Sequence, residues 1–137
     1  MEIRRLEPRD AELAHELVGR FKQCAPGAEH LQDWLSDERQ VLLAAFDRGA
    51  AVGWAYGYEL PRIDGPQPMY LLYEIDVDVE HRRRGVGSAL LETFLDMVPG
   101  PVWLITNASN EPAMRLYRSA GGQRLFPDDV MFRFKTD

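Results

Sequence analysis

Leu13, Leu17, Val18 and Phe21 recur at helical spacing, which predicts a helix from Ala11 to about Lys22 with Asp10 at its N-cap. Pro26 and Gly27 interrupt the chain, and Leu31, Trp34 and Leu35 then share one face of a short helix from His30 to Ser36. The remaining pattern is mostly that of strands. A short strand is predicted at residues 2–6, and apolar runs at 41–46 and 50–58 flank Asp47, Arg48 and Gly49, which read as a hairpin turn. Residues 60–68 hold three prolines and a glycine and form a loop. A long strand at 69–79, a helix from Gly85 to about Met97 and an apolar strand at 102–106 follow. A last helix from Asn110 to Ala120 accommodates Pro112 in its first turn and stops at Gly121 and Gly122. Residues 123–126 and 130–134, on either side of Pro127, Asp128 and Asp129, read as an antiparallel pair. The order of elements predicts an α/β (α+β) fold.

Length and charge narrow the class. A chain of 137 residues suits one domain, residues 1–137, able to bury a core of ordinary size. Its 16 Lys+Arg against 22 Asp+Glu give a net charge of −6, which speaks against a general nucleic-acid binder. A lone cysteine, Cys24, leaves no internal disulfide and predicts a reducing, cytoplasmic compartment. No apolar run approaches the ~20 residues of a membrane span, and the first ten residues are charged where a secretory signal is apolar. The three histidines share no metal-ligand spacing with each other or with Cys24, so no metal site is expected.

Candidate chemistry concentrates between residues 71 and 88. With a period of two, Tyr73, Ile75, Val77 and Val79 are expected on one face of the long strand, and Glu74, Asp76, Asp78 and Glu80 on the other. The strand runs through His81, Arg82, Arg83 and Arg84 into Gly85, Val86, Gly87 and Ser88, and these run into a helix. A strand, a glycine turn and a helix N-terminus form an anion cradle: glycines let the backbone approach, free N–H groups point outward, and the helix dipole favours negative charge. Neighbouring arginines add charge-assisted hydrogen bonds. The dinucleotide-binding and Walker patterns are both absent.

The string Val77 to Gly87, followed about 25 residues later by Asn110, Ala113, Tyr117 and Gly121 at helical spacing, resembles the GNAT superfamily of acetyl-CoA-dependent N-acetyltransferases. Within it, the segment Tyr73 to Val77, the Glu80–Arg83 run and the Val130–Phe132 tail look most like the aminoglycoside 3-N-acetyltransferase branch. The resemblance implies a central mixed, mostly antiparallel sheet with helices on both faces and a splay between the strands at 69–79 and 102–106. It implies acetyl-CoA as co-substrate. Its pyrophosphate would lie on Arg82, Arg83, Arg84, Gly85, Val86, Gly87 and Ser88, its pantetheine arm along the backbone of Ile75 and Val77, and Asn110 and Ala113 would belong to the same site. An N–H of Ile75 or Val77 would face the thioester oxygen, and Tyr117 would protonate the departing thiolate. Arg83 stands where the family often has glycine, which matters only if the turn needs a positive φ.

An attacking amine must be neutral, so the site needs a proton acceptor. Glu74 and Asp76, about 7 Å apart on one strand face, are the candidates. Because helices cover both sheet faces in such a fold, a carboxylate there needs a functional reason, whereas Asp78 and Glu80, near the strand end, read as solvated. Together with Asp64, Asp128 and Asp129 these carboxylates predict an acidic rim that draws in a small polycation, an aminoglycoside before a polyamine or a protein or peptide amine. A coenzyme A-binding module without turnover is the alternative of another class, and a homodimer fits the family habit.

Overall fold

A computed structural model describes residues 1–135. Five strands form one sheet in the order β1-β2-β3-β4-β5: β1 (Glu2–Arg5), β2 (Gln40–Asp47), β3 (Ala50–Leu60), β4 (Met69–Val77) and β5 (Val102–Trp103). The first four pair antiparallel, and β5 runs parallel to β4. Helices α1 (Ala11–Lys22) and α2 (Ala28–Ser36) cover one face, burying Leu17, Leu31 and Leu35 against Leu42, Trp54 and Tyr56. Helix α3 (Val86–Met97) covers the other, its Leu90 and Phe94 wholly buried with Leu43 and Leu72. Helix α4 (Glu111–Ser119) adds Leu116 and Tyr117 to that second layer. The mixed, mostly antiparallel sheet with helices on both faces is therefore present. No helix among the described residues is long and apolar enough to cross a membrane.

Local chemistry accounts for most element ends. The hairpin between β2 and β3 closes through Arg48 (φ 52°) and Gly49 (φ 82°), the two positive φ values that let a two-residue turn follow the strand twist. Asp10 stands at the N-cap of α1, but its carboxylate bonds the Glu7 N–H at 2.8 Å and Arg4 at 3.1 Å rather than a helix amide. Asn110 caps α4 directly, accepting from the Ala113 N–H at 3.2 Å.

Four expectations fail. Strand β4 ends at Val77, because the Asp78 N–H crosses to the Val52 carbonyl and Val79–His81 then closes a 3-10 turn. Val79 is accordingly 73% exposed and shares no core face with Val77. Tyr73 is displaced from that face too. The β3–β4 register jumps from Tyr56 opposite Glu74 to Gly57 opposite Leu72, so Tyr73 is the extra residue of a bulge. Gly57 permits it, since a Cβ there would collide with the Leu71 carbonyl oxygen and the Phe94 ring. The bulge keeps Tyr70, Leu72, Ile75 and Val77 on the α3 side and turns Tyr73 toward the α1 side with Tyr56 and Tyr58. The strand foreseen at 102–106 reduces to Val102 and Trp103, opposite Tyr70 and Leu71. Beyond Leu71, β4 has no partner on that side among the described residues, and this is the expected splay. Finally, the tail forms no antiparallel pair: 123–134 contains no strand, only a turn from the Asp129 N–H to the Phe126 carbonyl. A two-residue β5 offers little edge for a further strand to extend.

Candidate active site

The unpaired edge of β4 has a defined polarity. Asp78 sends its N–H to β3, and because strand amides alternate sides, Asp76 faces β3 while the N–H and C=O groups of Ile75 and Val77 face the splay. The Val77 carbonyl accepts from Arg82 Nε at 3.2 Å, which ties the end of the strand to the arginine turn. Ile75 and Val77 thus present the free backbone donors that a carbonyl oxygen needs.

The turn itself is built for close approach. Gly85 occupies the N-cap of α3 with φ 81°, contributes no capping side chain, and has nothing within 4 Å of where a Cβ would lie. The first intrahelical bond there runs from the Ala89 N–H to the Gly85 carbonyl, leaving the amides of Val86, Gly87 and Ser88 as the open first turn of the helix. Arg82, Arg83 and Arg84 are all exposed beside it. Arg83 has φ 64°, so the turn does need a left-handed residue at this position, and a non-glycine residue there costs about 1–2 kcal/mol. Gly87 is different: a Cβ would rest at 3.6 Å from Leu116, an ordinary contact. The side chain of Asn110 and the amide of Ala113 are engaged with each other in the α4 cap.

Asp76 and Tyr117 are the two expected site residues whose acidity the fold shifts. Asp76 is half-buried and accepts from the Trp54 indole N–H at 2.8 Å. Burial raises its pKa above the ordinary aspartate range and the nearby Glu74 charge adds to this, against the opposing pull of the indole hydrogen bond. Burial first, and the Asp76 charge second, likewise push the Tyr117 hydroxyl up. At neutral pH this leaves a carboxylate more basic than usual and, within reach of its charge, a firmly protonated phenol.

Glu74 is held differently from Asp76. Its Oε1 lies 2.5 Å from Lys22 Nζ at the end of α1. Asp78, expected to be solvated, is bound by Arg20 at 3.1 Å, and Arg20 also reaches Glu16 and the Ala51 carbonyl. Asp64 pairs with Arg62 at 2.9 Å, and Asp128 and Asp129 lie on the exposed tail. Basic residues thus answer three of the seven carboxylates of the expected rim, those of Glu74, Asp78 and Asp64. Sequence reasoning missed Arg20, Lys22 and the cluster of Trp34, Tyr56, Tyr58 and Tyr73 around them. The alternation of Trp54, Tyr56 and Tyr58 along one strand was the available signal. A groove of about 850 Å³ opens between β5, α4 and the tail, with Tyr117 in its wall, but it includes neither Glu74 nor Asp76.

A family model described as the Acetyltransferase (GNAT) family matches residues 4–121. The chain belongs to the GNAT acetyltransferase family. An N-alpha-acetyltransferase, RimI of Mycobacterium tuberculosis, is 38% identical over 92 residues, covering 66% of this chain and 57% of that protein. The chain thus spans little more than half the length of this relative. Among solved structures, an aminoglycoside acetyltransferase from an uncultured soil metagenomic sample superposes with a TM-score of 0.87 at 22% identity, covering 99% of this chain and 98% of the other. A ribosomal-protein-alanine N-acetyltransferase from Brucella melitensis biovar Abortus 2308 gives 0.78 at 23% identity, covering 98% and 100%. At such identities the structural likeness speaks to the fold, and both kinds of acetyltransferase share it.

Proposed function

We propose that this GNAT protein is an acetyl-CoA-dependent N-acetyltransferase acting directly on a primary amine. Bound acetyl-CoA would supply an acetyl group activated as a thioester. The residues of the chain suit that group: the open α3 N-terminus with Arg82, Arg83 and Arg84 fits a pyrophosphate, and the free edge at Ile75 and Val77 fits an extended amide-bearing arm. The N–H of Ile75 or Val77 donates to the carbonyl oxygen as negative charge builds there. Asp76, more basic than a solvated aspartate, takes a proton from the amine directly or through a water. Tyr117 holds its proton for a leaving sulfur. The pairing of a raised carboxyl with a raised phenol at the end of the splay is the observation that carries this reading. A non-catalytic coenzyme A binder has no use for it.

The acceptor class we favour is a small cationic amine, an aminoglycoside or polyamine, on the strength of Glu74 and Asp76 sharing one face. The 38% identity to an N-alpha-acetyltransferase supports a second reading, a protein or peptide α-amine. Acetyl-CoA turnover measured across aminoglycosides, polyamines and peptides with free N-termini tests both. Release of coenzyme A with none of these amines, in a protein that binds acetyl-CoA, would leave the binding-module reading standing.

A further inference from the structure

Lys22 sits in an arrangement made for an alkylammonium ion. Its Nζ is 2.5 Å from Glu74 Oε1, 5.8 Å from the centroid of the Tyr56 ring and 6.0 Å from that of Tyr73. One carboxylate and two aromatic faces are the elements that recognise organic cations by charge and by the ring quadrupole. The walls are braced: Tyr73 leans on Tyr56 at 5.6 Å, and Trp34 meets Tyr56 and Tyr58 edge-on at 6.2 and 6.0 Å. Lys22 ends α1, is followed by Gln23 in a left-handed cap, and keeps 36% of its side chain exposed, so the path from the seat to water runs outside the helix.

We propose that Glu74, Tyr56 and Tyr73 form an ammonium subsite of the acceptor pocket, filled by Lys22 in the free protein and by a second cationic group of the acceptor during turnover. This rests on the N-acetyltransferase reading and names its substrate class. Glu74 and Asp76 lie two residues apart on one strand face, with Glu74 close enough to raise the Asp76 pKa. The acceptor is then a diamine or polyamine, one nitrogen bound as ammonium at Glu74 and another deprotonated at Asp76. Lys22 sets specificity by competing for the seat: a monoamine or a short peptide must tolerate it, whereas a diamine replaces it. The paired bases Lys22 and Arg20 also explain why a site for cations carries so little unbalanced negative charge.

Calorimetric titration of 1,5-diaminopentane and of 5-aminopentanoate into wild type, Lys22→Met, Arg20→Met and Glu74→Gln tests this. Lys22→Met should tighten the diamine about tenfold and leave 5-aminopentanoate no tighter, while Glu74→Gln weakens the diamine. Arg20→Met removes an equal charge without emptying the seat and should not tighten the diamine as Lys22→Met does. Unchanged diamine affinity in Lys22→Met overturns the proposal. So does equal tightening in Lys22→Met and Arg20→Met, which would mark a general field. Lys22-dependent diamine binding with no acetylation of any amine would instead refute the transferase reading and leave the ammonium site standing.

Discussion

The glycine turn at 82–88 and the charged aromatic face of β4 are built on opposite plans. The turn is contiguous in sequence and works through backbone: Gly85 at φ 81°, Arg83 at φ 64° and the open amides of α3. The face is assembled from α1, α2, β3 and β4 and works through side chains, with Lys22 reaching Glu74 and Arg20 reaching Asp78. A phosphate-sized anion needs only dipoles and a place to approach, which one short segment can supply. Selecting among amines requires groups from several elements held at fixed distances. The contrast teaches that a backbone-built turn is written within one short segment, whereas a charged face depends on side chains from distant elements such as Lys22.

The sharpest way to break this division is Tyr117→Phe. If the phenol serves the chemistry alone, kcat falls roughly 10²–10⁴-fold while acetyl-CoA affinity is nearly unchanged in calorimetry. A fall of less than about threefold would return Tyr117 to a packing role beside Leu116. Gly85→Val comes next. A β-branched residue is poorly tolerated at φ 81°, so acetyl-CoA binding should drop by about two orders of magnitude, with the fold retained in circular dichroism. Gly87→Ala should cost far less, because its Cβ makes only ordinary contacts with Leu116 and Val77.

Asp76→Asn probes the face of the splay rather than the turn. Because burial raises the Asp76 pKa, activity should climb with pH through an acid limb lying above the ordinary aspartate range, as the carboxyl loses its proton. The asparagine variant should lose that limb and about tenfold or more in kcat, which pH–rate profiles would show. Arg83→Gly is a smaller test of the turn. It relieves a left-handed residue and should raise stability by about 1 kcal/mol, read as a shift of the thermal midpoint, while weakening acetyl-CoA slightly through the lost guanidinium. Cys24→Ala should change turnover least. The thiol is exposed and bonded to the Lys22 carbonyl on the α1–α2 connection, and direct transfer has no use for it. Loss of activity in that variant would point to an acyl-cysteine route.

The sequence alone carried the helix and strand order as far as α4, the hairpin at Arg48 and Gly49 and the glycine turn, because each depends on residues within a few positions of one another. Periodicity likewise put Glu74 and Asp76 on one face. Tertiary structure decided what that face meets. The bulge at Tyr73 exists because Gly57, on the neighbouring strand, leaves room for it, and no reading of β4 by itself reveals a partner's missing Cβ. The early end of β5 and the unpaired tail follow from how β4 diverges, a matter of sheet geometry. Most of all, the carboxylates of β4 look alike in sequence, yet Lys22, Arg20 and Trp54 treat Glu74, Asp78 and Asp76 in three different ways. An electrostatic environment is set by whatever charge folding brings within a few ångströms, and those partners stand 52, 58 and 22 positions away along the chain.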